Sequence, residues 1–123
     1  MQVEAAPWPV RGDAFDSACP TRAVLDHVTS KWAVLVLAAL AEGPLRFSAL
    51  RRRILGDSEK MLAQTLRTLE GVGFVAREVA PTTPPQVTYS LTGLGEDLTP
   101  HMTGLLEFLA TRIPDIQAAR TRP

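Results

Sequence analysis

The chain has a single cysteine, Cys19, so no disulfide can form within it. That suits a reducing compartment. No apolar run approaches the roughly 20 residues of a membrane span. The N-terminus has no basic region followed by an apolar core, so no signal peptide is read there. Charge of one sign is also missing: 13 Lys and Arg balance 13 Asp and Glu, so total charge announces no polyanionic partner. The two histidines, His27 and His101, stand apart, with no further ligands at metal spacing, so no metal or cofactor is expected. There is no glycine-rich phosphate loop, nucleophile elbow or pair of catalytic carboxylates. Nothing therefore supports an enzyme.

What is there fits one domain: 123 residues, 46% of them apolar. The charges are unevenly placed. Between Arg46 and Glu78 lie seven basic residues and four acids, and the remaining acids flank that stretch. A basic middle between acidic ends points weakly to a polyanion.

Residues 1–18 are polar and broken by Pro7 and Pro9. They read as an irregular arm whose Trp8 and Phe15 pack on the body or on a partner. Cys19 and Pro20 open a first helix that runs to about Val28, since Pro at the first helical position loses no bond. Ser30 caps a second helix, Lys31 to Ala41, with Trp32 as a core anchor, and Gly43-Pro44 stops it. Leu45-Arg46 makes a short extended piece. Phe47 to Leu55 is a third helix with Phe47, Leu50 and Ile54 inward. Ser58 caps a fourth, ending at Glu70. Phe74 to Val79 and Gln86 to Leu91 read as two strands around a Pro-rich loop, with Val87, Tyr89 and Leu91 alternating. Thr92 caps a last helix with Leu94, Leu98, Met102, Leu105 and Leu109 on one stripe. Pro100 should kink or interrupt it early. Domain bounds follow: an arm over 1–18, a body over 19–113 whose last helix is 92–113, and a frayed tail over 114–123. The fold class is mainly α with a small β hairpin: a winged helix-turn-helix with a C-terminal dimerisation helix.

The fourth helix carries most information. At about 100° per residue, Leu62, Leu66 and Leu69 share an inner arc, with Lys60, Gln64, Arg67 and Thr68 opposite. Such side chains read base edges or hold phosphates, although any amphipathic helix has a polar face. Arg51, Arg52 and Arg53 are adjacent and cannot share one face, so at most two reach phosphates.

Jointly, several motifs resemble the HxlR-type regulators. They are Cys19-Pro20, Lys31-Trp32, Gly43 to Phe47 with Leu50-Arg51-Arg52, Ser58 with Lys60-Met61-Leu62, Leu66-Arg67 with Leu69-Glu70, and Pro84-Pro85 before Val87 to Thr92. The resemblance spans Cys19 to Phe108. It implies a dimeric bacterial winged-helix repressor or activator on a palindromic operator, cytoplasmic and at the nucleoid when bound to DNA. The expected partners are double-stranded DNA carrying an inverted repeat, a second copy of the chain, and a small thiol-reactive or other effector. Repression is the favoured direction. The candidate DNA contacts are Arg46, Ser48, Arg51, Arg52, Ser58, Lys60, Met61, Gln64, Thr65, Arg67, Thr68 and Arg77. The candidate dimer contacts are Leu98, Met102, Leu105, Leu106 and Leu109. Some members sense oxidants through a cysteine near the N-terminus, here Cys19, where helix amides favour a thiolate and Arg22 adds a cation. The alternative for Cys19 is an inert, partly buried residue.

Two departures from the family stand out. Gln86 replaces a common Arg after Pro84-Pro85, leaving the loop from Ala80 to Gln86 without a cation. Gly56-Asp57-Ser58-Glu59 adds two acids beside the proposed groove. A winged helix serving as a protein–protein module without DNA is the alternative function.

Overall fold

Among the described residues, four of the five helices open on a side chain that takes up an orphan backbone donor. Cys19 Sγ accepts from the Thr21 N–H, Ser30 Oγ from Ala33, Ser58 Oγ from Met61 and Thr92 Oγ1 from Gly95. The helices so started are α1 (Pro20–Val28), α2 (Lys31–Leu40), α4 (Glu59–Gly71) and α5 (Gly93–Arg120). Between them lie β1 (Leu45–Arg46), α3 (Phe47–Arg53), β2 (Val75–Ala80) and β3 (Gln86–Leu91). The computed structural model describes residues 14–56 and 58–121.

The strands form one antiparallel sheet in the order β1-β3-β2. Leu45 pairs with Tyr89, and Val75 through Ala80 pair with Leu91 back to Gln86. With α3 and α4 before it, the β2–β3 hairpin is the wing of a winged helix-turn-helix fold. The strand at 86–91 matches the sequence expectation because its apolar positions alternate, and β2 begins one residue later than expected.

The core gathers around α2. Val36 and Leu37 are fully buried, as are Leu50 of α3, Leu62, Leu66 and Leu69 of α4, and Val75 of β2. Each such side chain contributes about 1.5–3 kcal/mol by leaving water. Trp32, Phe47, Tyr89, Leu98 and Met102 pack against this cluster from the rim. Taken together, α1 and α2 are apolar enough for a membrane span, but they meet at 76°, and α2 is spent on the core. No single helix among the described residues is long and apolar enough to cross a membrane.

A tight junction fixes α5 to the helix-turn-helix unit. Thr92 Oγ1 donates to the Gly73 carbonyl at 2.6 Å, and the Thr92 N–H donates to the Phe74 carbonyl at 3.1 Å. Gly73 sits at φ 92°, a backbone region that favours glycine. One turn into α5, Gly95 lies directly against the Phe74 carbonyl.

The expected bounds of the last helix are corrected. The last helix neither stops near residue 113 nor breaks at Pro100; it runs through Pro100 and Pro114 to Arg120. The carbonyls that lose a donor belong to Glu96 and Ala110, both exposed residues open to water as a substitute donor. Of the two places expected for Phe15, the body and a partner, its 95% exposure speaks against the first. Trp8 lies outside the described residues.

Gly95→Ala is expected to destabilise the fold by about 1–3 kcal/mol, because its methyl would overlap the Phe74 carbonyl and crowd Leu91. Gly93→Ala, two residues earlier in the same helix with open space around it, should be neutral or stabilising. Thermal melts of the two variants check this; equal behaviour would refute the close approach.

Candidate nucleic-acid interface

Burial of Leu62, Leu66 and Leu69 turns the opposite side of α4 outward, and Lys60, Gln64 and Arg67 are exposed there. Arg67 Nη2 donates to Gln64 Oε1 at 3.0 Å, so these two side chains are presented as a pair. Met61 is 46% exposed, Thr68 is half-buried, and Ser58 is committed to its cap. Thr65 departs from the expected set. It is buried, and its Oγ1 donates to the Met61 carbonyl at 2.9 Å. It sits roughly 60° from Leu62 on the helical wheel, on the core side.

The three consecutive arginines point different ways, as a step of about 100° requires. Arg51 Nη1 lies 3.2 Å from Glu59 Oε2, tying α3 to the start of α4. Arg53 forms two bonds to Glu42, at 3.0 and 2.8 Å. Hydrogen bonding from Arg53, then its charge, holds the Glu42 carboxyl below its ordinary value; Glu42 in turn raises Arg53. The depressed carboxyl contributes only while ionised, so its contribution fades as pH falls through its folded value. Both ends are exposed, so that contribution is small. Arg52 has no ion pair among the described residues. Ser48 is exposed on α3, and Arg77 is exposed on β2.

At the wing, the cation missing from the hairpin loop is supplied from another strand. Arg46 of β1 donates through Nη2 to Gln86 Oε1. The register that pairs Arg46 with Thr88, two residues past Gln86, makes this reach possible. From sequence, Gln86 alone reads as a loss; the sheet order β1-β3-β2 returns a guanidinium to the same edge.

A further feature had no sequence signal. Asp26, His27 and Ser30 at the α1–α2 corner face Met61, Gln64 and Thr68 across a cleft of about 230 Å³. His27 reads as isolated because its neighbours come from a helix more than 30 residues away.

The expected dimer contacts divide. Leu98 and Met102 pack against the protomer's own core, and Leu106 is half-buried against α2. Leu105 and Leu109 are 48% and 39% exposed, together with Phe108 and Ile113, which the sequence reading passed over. Their spacing from Leu105, at three, four and eight residues, was the available signal. On α1, Val24 and Leu25 are also exposed. Cys19 is only 3% exposed, at the N-cap of α1. Arg22 is occupied otherwise: its guanidinium donates to the Ala14 and Phe15 carbonyls.

Helix, turn, exposed polar helix and wing agree with comparison against known proteins. Residues 27–117 match the family model described as HxlR-like helix-turn-helix. The chain belongs to the HxlR-like helix-turn-helix family. It is 50% identical over 109 residues to YtfH of Escherichia coli, an uncharacterized HTH-type transcriptional regulator; the match covers 89% of this chain and 86% of that one. The solved ytfH regulator from Salmonella typhimurium superposes with a TM-score of 0.84 at 49% identity, over 90% of this chain and 99% of that one. The redox regulator HypR in its reduced form gives 0.74 at 32% identity, over 80% and 98% of the two chains. Diamide-treated YodB from B. subtilis gives 0.65 at 31%, over 78% and 96%. This HxlR-family chain is thus a transcriptional regulator of the HTH type, and catalysis is no part of what its relatives are named for.

Glu59→Gln is expected to release Arg51. Affinity for nonspecific duplex DNA should rise, and the slope of log K against log salt should steepen by about 0.9, one phosphate contact. Fluorescence anisotropy across a salt series measures it. An unchanged slope would place Arg51 away from the DNA.

Proposed function

We propose that the chain acts as a homodimer on an inverted-repeat operator in double-stranded DNA, with one α4 in each of two major grooves. The carrying observation is the exposed row Lys60, Gln64 and Arg67 on the second helix of the helix-turn-helix, backed by buried leucines. Gln64 is of the type that reads adenine, while Lys60 and Arg67 suit guanine or phosphate. Arg46 at the wing base, with Arg52 and Ser48 on α3, supports backbone contacts that set register. The exposed apolar residues of α5 support the dimer, since an isolated face of that kind is a usual sign of an interface. Half-sites would then lie about 34 Å apart, one helical turn. A dimer seated across an operator excludes whatever else must bind there, which is repression.

A response of Cys19 to thiol-reactive compounds is the second part of the proposal. One relative is named a redox regulator, another was solved after diamide treatment, and Cys19 stands where backbone donors open a helix. Its burial restricts the reaction to small reagents. A bridge between protomers would need the two Cα atoms within about 7 Å.

Operator binding to the chain's own upstream DNA tests the first part. Lys60→Ala and Arg67→Ala should weaken binding at every sequence, and Gln64→Ala should relax preference at one base by about 1–3 kcal/mol. Intact affinity in the triple variant would sink the assignment and favour a protein-binding module. Light scattering should show a dimer that Leu105→Glu or Leu109→Glu converts to monomer.

For the second part, diamide should change operator affinity in the wild type and not in Cys19→Ser. Equal responses, or none in either, would remove Cys19 from the mechanism.

A further inference from the structure

A cleft of about 400 Å³ lies where α2, the end of α3 and α5 meet. Its apolar wall is formed by Leu35 and Ala38 from α2, Ile54 and Leu55 just past α3, and Leu106 from α5. Leu55 is 82% exposed, an uncovered leucine at the mouth of an apolar hollow. The volume falls in the range that takes a small organic ligand.

The charges around it select among ligands. Glu42, Arg53 and Glu107 line the cleft. Arg53 is already engaged by Glu42 through Nε and Nη2. Glu107 has no ion pair among the described residues, so the cleft carries one uncompensated negative charge. At about 100° per residue, Glu107 is turned roughly 160° from Leu105, while Leu106 lies about 20° from the exposed Ile113. The charged side of the cleft therefore faces away from Leu105 and Leu109, and its Leu106 wall borders the exposed apolar stripe of α5.

We propose that this cleft binds a small amphipathic cation, its aromatic or branched apolar body against Leu35, Ala38, Leu55 and Leu106 and its ammonium beside Glu107. Such a ligand would touch both the segment just past α3 of the helix-turn-helix and α5, two elements whose relative placement would set the spacing of paired α4 helices. That regulatory meaning rests on the DNA-binding reading; binding itself does not. The titration below contains no DNA, so it can fail while operator binding holds, and the reverse.

The test is calorimetric titration of the full chain with three probes that share one apolar body: naphthylmethylammonium, naphthylmethanol and naphthoate. The ammonium should bind most tightly, about fivefold over the alcohol, the upper range for an exposed ion pair. Naphthoate should bind most weakly. Glu107→Gln, an exposed position that leaves packing intact, should bring the ammonium down to the alcohol's affinity and leave the alcohol unchanged. Ala38→Phe should fill the cleft and abolish binding of all three, with circular dichroism showing the fold retained. Naphthoate binding as tightly as the ammonium would overturn the proposal. So would an ammonium affinity untouched by Glu107→Gln, binding that survives Ala38→Phe in a folded protein, or no saturable binding at millimolar ammonium.

Discussion

The architecture follows from the need to bury α2 on all sides. After Lys31 the helix has no polar residue: Trp32 to Leu40 is apolar throughout. A helix without a wet face must be wrapped. Here α1, α3, α4, α5 and β3 all pack on it. Each wrapping element needs one apolar side for that purpose and keeps the other for solvent or partners. The outer face of α4 is the clearest product of this arrangement. Because Leu62, Thr65, Leu66 and Leu69 are used inward, Lys60, Gln64 and Arg67 project as a set on a rigid support.

Electrostatics at that surface is more restrained than the count of arginines suggests. Of the run at 51–53, one side chain is held by Glu59 and one by Glu42, and Arg46 is bonded to a neutral glutamine. Exposed pairs of this kind are weak. They orient the guanidinium groups, and a phosphate must compete with the carboxylate for each of them. Glu42, which precedes the basic segment, and Glu59, which lies inside it, thus become partners in space, while Arg52, Lys60 and Arg67 make no ion pair among the described residues, so a chain with no net charge still presents a basic edge.

Helix α5 divides its work along its length. Its first third is locked to the α4–β2 turn by Thr92 and Gly95. Leu98 and Met102 then close the core. At 28 residues, or about 42 Å, the helix outruns the domain it packs on. Its later apolar residues, from Leu105 to Ile113, are left without cover inside the protomer.

Much of this was legible in the sequence. Periodicity and caps marked the helices, alternation marked β3, and a wheel separated the two sides of α4, since all three depend on residues close along the chain. The same wheel places Thr65 about 60° from Leu62, the side on which the structure buries it. The end of α5 was misread because a proline breaks a helix in isolation, whereas at exposed positions water satisfies the orphaned carbonyl. Family membership was legible as well, from motifs in the right order. What only the tertiary structure decided is which distant groups meet: Arg46 with Gln86, Arg53 with Glu42, His27 with the α4 face, and α2 with α5 around an apolar cleft. Local propensity fixes where a side chain points on its own element. Only burial of the shared core sets the angle and register between elements, and no pattern along a single chain encodes that directly.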